Sequence, residues 1–231
     1  MFGLFNGSNT DIMDDIEAVL RPMAGMAIAK KFALHDIVGD VETWQADLES
    51  AVLLLDETEF RDIQIIGTYA FDDGTWLWAW GNQGSDFAEN IVRDSFALQR
   101  YGKENDIAWL TERTFELEQD DVEAVAAVAV GITQADGYYL AFHDAGIAVF
   151  ALRDPRLKQA LAAENPARAT VVIPEMVATF VLYQQHEAVA EYLRQAGYQI
   201  LHVSSDENAT ALDKVRLKNK AFFDRTYANR K

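Results

Sequence analysis

The sequence predicts an α+β fold in which an antiparallel β meander packs against helices, followed by a C-terminal helical segment and a short strand. Three observations carry this. From Ile63 to Asn82 two alternating apolar runs flank Asp72-Asp73-Gly74, the pattern of a hairpin. Tyr138 to His143 and Ile147 to Leu152 flank Asp144-Ala145-Gly146 in the same way. Between and around these hairpins the apolar residues return at helical spacing.

In chain order, Thr10 to Ile37 reads as helical, with Asp11 as cap and Ile12, Ile16 and Val19 on one face, broken or kinked at Pro22. The stretch Met23-Ala24-Gly25-Met26-Ala27 is small enough to pack closely on a neighbour. From Trp44 the period becomes two, through Ala46 and Leu48, and Ala51 to Leu55 is a strand. At the first hairpin two registers fit. A two-residue turn at Asp73-Gly74 sets Phe71 opposite Trp76, Tyr69 opposite Trp78 and Gly67 opposite Trp80, which the stacking of cross-strand aromatics favours. A three-residue loop with Gly74 left-handed sets the tryptophans opposite Ala70, Thr68 and Ile66.

Ser85 or Asp86 caps a helix running to about Tyr101, with Phe87, Ile91 and Leu98 buried and Gly102 as its stop. Asp120 caps a second helix over residues 121–133. In the second hairpin Gly146 fits the left-handed position of a three-residue loop. Arg153-Asp154-Pro155 marks a boundary, giving residues 1–152 as a core unit with a tryptophan-rich hairpin and residues 153–231 as a C-terminal α/β segment packed on it; one single domain is the alternative. A short helix starts at Pro155 and ends at Asn165-Pro166, Pro174 opens another at its first turn, and Glu187 to Ala196 is terminated by Gly197. Tyr198 to Val203 is a strand, and residues 211–223 fit helix or strand.

The motif Gly67-Thr68-Tyr69, then Trp76-Leu77-Trp78-Ala79-Trp80-Gly81-Asn82, a capped helix and Gly137-Tyr138-Tyr139 resembles a bacterial domain family of unknown function whose hallmark is this tryptophan-rich strand. The resemblance spans roughly Trp44 to Leu152 and implies one α+β unit. It implies no activity.

Composition excludes several functions. There is no cysteine among the 231 residues, so disulfides, thiolate metal sites and thiol catalysis are out. The four histidines, His35, His143, His186 and His202, have no metal-ligand spacing, and His186-Glu187 lacks a second histidine at Ala190. The acidic clusters around Asp11, Asp56 and Glu116 lack the glycine of a calcium loop. No phosphate-cradling glycine loop or Gly-x-Ser-x-Gly elbow is present. No cofactor and no metal is expected, and the weight of these exclusions favours a non-enzymatic role. The N-terminus lacks the pattern of a secretory signal and no apolar run is long enough to span a bilayer, so a cytoplasmic protein without membrane contact is expected.

Net charge is −17, divided between a body at −23 and a tail from Lys214 at +6. Such a body repels phosphate backbones, which argues against nucleic acid, and attracts basic proteins. The sequence-based expectation is therefore an acidic protein-binding module with a basic protein as partner, an immunity protein neutralising a basic toxin being its concrete form. The alternative is a small-molecule binder or enzyme with a pocket beside the tryptophan strand. Its candidate ligand-binding residues are Trp76, Trp78, Trp80 and Tyr69, as a stacking platform or a cage for a cation. Since Leu77 and Ala79 on the other face are also apolar, core packing is the favoured reading of the indoles. The tail from about Leu212 to Phe223 is expected to dock, with its basic side chains on the protein's own carboxylates.

Overall fold

A computed structural model describes residues 9–85, 87–162, 167–203 and 215–217. Its centre is a five-stranded antiparallel sheet made of β4 (Gln64–Ala70), β5 (Thr75–Trp78), β6 (Thr114–Glu116), β7 (Gly137–His143) and β8 (Gly146–Leu152), in the order β6-β5-β4-β8-β7. A separate three-stranded meander, β1 (Trp44–Asp47), β2 (Val52–Leu55) and β3 (Thr58–Arg61), forms a second sheet.

The period-two pattern of the central strands decides what lies on each side. One face of β8 presents Ile147, Val149 and Ala151 to a core shared with Tyr69, Trp76 and Trp78 and with the helices α1 (Asn9–Leu20), α2 (Ala24–Val38) and α5 (Val122–Ile132). The other face presents Ala148, Phe150 and Leu152 to a core shared with Leu53, Leu55 and Phe60 of the small sheet. With both faces covered, every residue of β8 is buried, as its continuous apolar run requires.

α3 (Arg93–Glu104) and α4 (Ala108–Thr111) close one side of the sheet, and α6 (Pro155–Ala162) follows β8. α7 (Arg168–Thr179) and α8 (Gln185–Gln195) bury Val172, Met176, Val189 and Leu193 in the same core as α1, α2 and α5. The segment after Pro155 thus shares the main core. A two-stranded ribbon of β9 (Ile200–Val203) and β10 (Val215–Leu217) ends the described chain. Within 211–223, residues 215–217 are therefore strand and docked by pairing; the rest of that segment lies outside the described residues.

Several local expectations hold for the stated reason. Pro22 separates α1 from α2, and Gly25 lets α8 approach, since a Cβ there would lie 2.3 Å from Tyr192 Cβ. Gly197 has φ +85°, and its amide donates to the Arg194 carbonyl at the end of α8.

Others are corrected. The first hairpin takes neither expected register: Tyr69 faces Trp76 and Gly67 faces Trp78, around a four-residue loop, Phe71 to Gly74. Gly74 is left-handed at φ +64° and its amide donates to the Ala70 carbonyl at 3.1 Å. Trp80 has left the strand for a 3-10 turn, Ala79–Gly81. Gly146 is paired with His143 across a two-residue loop and is not left-handed; a Cβ on it would stand 1.9 Å from the Tyr69 carbonyl oxygen. The helix expected from residue 85 is instead a 3-10 turn, Glu89–Ile91, followed by α3, which runs through Gly102 because that glycine packs against Leu110. Pro174 lies inside α7, held there by buried Val172, Ile173 and Met176 around it.

Candidate functional site

The tryptophan strand is core. Trp76 and Trp78 have no exposed surface and Tyr69 is 6 % exposed; of the four expected ligand-binding residues, Trp80 alone is half-buried. Trp78 stacks on Trp109 with ring centroids 5.9 Å apart, meets Trp76 edge-on at 5.3 Å, and donates its indole N–H to the Trp109 carbonyl. The indole N–H groups of Trp76, Trp80 and Trp109 are buried and meet no acceptor among the described residues. A groove of about 410 Å³ lies elsewhere, lined by Ala18 of α1, Arg21 in the turn after it, Glu187, Glu191 and Arg194 of α8, and Val203, and none of the four expected residues lines it.

Exposed acidic side chains gather instead at the end of the large sheet where both hairpins turn. The Phe71 amide donates to the Ala145 carbonyl at 3.0 Å, which locks the two tips side by side. The Leu117 amide donates to the Gly74 carbonyl at 2.8 Å, which brings the segment after β6 to the same tip. Asp72, Asp73, Asp144, Glu116, Glu118 and Asp120 are exposed there. None of Asp72, Asp73, Asp144, Glu116 or Asp120 forms an ion pair among the described residues.

The acids influence one another. The Tyr69 hydroxyl is pushed above its ordinary range by burial and then by the charges of Glu118, Asp73 and Asp120. Asp121 at the start of α5 is raised by its own burial and by Glu118 and Asp120. Two aromatic rings are exposed toward this end of the sheet: Phe71, just after β4, is 39 % exposed and meets Tyr69 edge-on, and Phe142, near the end of β7 on the edge opposite β6, is 53 % exposed.

The sequence reading missed Phe71 and Phe142 as surface residues. Phe71 belongs to an alternating run, and only a four-residue loop, lengthened at its expense, releases it from the strand. Phe142 lies on the same face as buried Ile147, its cross-strand partner, but at the strand's end. His143 and Asp144 are both exposed; the His143 Nδ1 accepts from the Ala145 amide at 3.3 Å. Among the described residues no group of three or more histidines and acids is placed to hold a metal, and no helix is long and apolar enough to cross a membrane.

A family model described as a family of unknown function matches residues 17–155. No curated protein and no solved structure matches the chain.

Proposed function

This chain belongs to the DUF6882 family of unknown function, and from its own residues we propose that it is a non-enzymatic module that binds a basic protein at the hairpin end of the large sheet. The carrying observation is the pair of exposed rings, Phe71 and Phe142, at the end of the sheet where Asp72, Asp73, Asp144, Glu116 and Asp120 form no ion pair among the described residues. Aromatic anchors in a charged rim are the usual composition of an interface centre. Arginine and lysine side chains fit both parts, resting on a ring and ending at a carboxylate. The overall charge would steer such a partner in and speed encounter. An immunity protein that neutralises a basic toxin is the concrete form of this reading.

The test is capture of a basic protein from the native host at low salt, by wild type and by the F71A/F142A variant, which leaves the charge unchanged. Selective loss in the variant, and release by added salt, support the reading. Equal capture by both would reduce the interaction to general acidity and sink it.

A further inference from the structure

Most of the described arginine and lysine side chains are engaged. Arg21, Lys31, Arg153 and Arg168 bind carboxylates on other elements or turns, and even Lys30 donates to the Val130 carbonyl. The side chains of Arg100, Lys103 and Arg113 make neither an ion pair nor a hydrogen bond among the described residues. Two of these three stand on α3.

α3 buries Asp94, Ser95, Leu98 and Gly102 and turns the opposite face outward. Arg93, Phe96, Arg100 and Lys103 are exposed there at spacings of three, four and three, which place them on one stripe about 15 Å long. Phe96 is 48 % exposed. Arg93 is already engaged, by Asp62 at 2.7 Å and the Asn90 carbonyl at 3.2 Å, so the free positive charge lies at Arg100 and Lys103. A single exposed phenylalanine carries little information. One followed along the same stripe by two cations that have no partner among the described residues, on a chain of net charge −17, is a different matter.

We propose that the outward face of α3 docks an acidic segment of a partner protein, seating an apolar side chain on Phe96 and carboxylates on Arg100 and Lys103. Charge complementarity selects this occupant. A carboxylate matches the guanidinium fork of Arg100, and a segment a few turns long matches the stripe. A nucleic acid is a poorer fit, because its phosphates would run on past the cations toward exposed Glu104 and Asp106. A second copy offering its acidic hairpin end is the competing occupant, and self-association of the chain tests for it. The inference stands independently of the basic partner proposed above.

The probe is a synthetic amphipathic peptide of glutamate and leucine, titrated into the isotope-labelled full chain and followed by amide chemical shifts. Shifts centred on Phe96, Arg100 and Lys103 are expected, weakening as salt is raised. R100E/K103E should lower the affinity at least roughly ten-fold and F96A several-fold, while D72K/D73K leaves binding intact and so separates this site from the hairpin end. Unchanged melting curves for these surface variants exclude unfolding. The proposal is overturned by absence of binding, by shifts mapping elsewhere, or by a double variant that binds like wild type. It is equally overturned if an oligonucleotide of equal charge binds α3 more tightly than the peptide, or if the chain self-associates in a way that R100E/K103E abolishes.

Discussion

Replacing Gly146 tests the packing of the central seam, because two physical reasons for a glycine there predict opposite outcomes. A left-handed turn position would tolerate asparagine, which visits that conformation at small cost. A close-approach position would tolerate no side chain at all. Gly146 sits between β7 and β4, paired with His143 and Ala70, and an added Cβ would stand 1.9 Å from the Tyr69 carbonyl oxygen and 3.0 Å from its carbonyl carbon. The obstacle is the backbone of a central strand, so relief requires parting β4 from β8. Overpacking of this kind costs roughly 1–3 kcal/mol or more. With a midpoint shift of roughly 2–4 °C per kcal/mol for a chain of this size, both G146A and G146N should melt roughly 2–12 °C below wild type. Gly74 is the internal control. It has φ +64° and its nearest foreign atoms stand at 3.6 and 3.8 Å, so G74N should be nearly neutral while G74A loses about 1 kcal/mol. Thermal melts by circular dichroism and urea titrations read all four variants. A G146N protein as stable as wild type would refute the close-approach account.

Two further predictions concern buried polar groups. Burial holds the Lys30 ammonium down to about 8, against Asp136, which raises it, while Arg153 lowers it. The folded state therefore disfavours the charged form: the penalty is fully present below pH 8 and fades as pH climbs toward 10.5, where the unfolded chain also loses its proton. K30M should be more stable than wild type at pH 7, by up to about 3 kcal/mol, with the gain shrinking through that window in urea titrations; a gain independent of pH would count against it. Trp78 donates its indole N–H to the Trp109 carbonyl whereas the Trp76 N–H has no acceptor among the described residues, so W78F forfeits a hydrogen bond and W76F relieves an unpaired donor. W78F should be the less stable of the two by about 1 kcal/mol, and the reverse order in paired melts would contradict this account.

The fold class was readable because both hairpins announce themselves by period-two apolar runs, and α5 by an unbroken valine and alanine stretch. Register was not, because it depends on how many residues the loop consumes. Taking Phe71 into the turn shifts the pairing by two residues from the favoured register. A shift of two preserves the face, so Trp76 and Trp78 still point inward with Tyr69. Glycines were misread for a related reason. Sequence marks where a glycine is, but Gly102 and Gly146 are required by Leu110 on α4 and by the Tyr69 backbone on β4, partners distant in the chain. Pro174 shows tertiary burial overriding a local preference, since the residues around it are more valuable inside the core than a cleanly started helix. The surface sites depend on such distant contacts too. Phe71 and the tip that follows Phe142 come side by side only when the hairpins lock through Phe71 and Ala145, and α3 shows its basic stripe only once Gly102 fixes which face is buried.

The distribution of ion pairs separates what holds this protein together from what it offers to others. Arg21 ties Glu17 of α1 to Glu187 of α8, Lys31 ties α2 to Glu123 of α5, and Arg168 ties α7 to Asp36 of α2. These pairs join helices already packed through Ile28, Val125, Val172 and Val189, and each has one member at least half-buried, Glu17 being buried outright. They engage three cations within the helical layer, while Asp72, Asp73, Asp144, Glu116 and Asp120 at the hairpin end form no ion pair among the described residues and Arg100 and Lys103 of α3 likewise form none. Charges left in this state act at long range and are screened by salt, whereas the buried layers of the two cores are not. Under the two proposals, recognition and stability are carried by different residues.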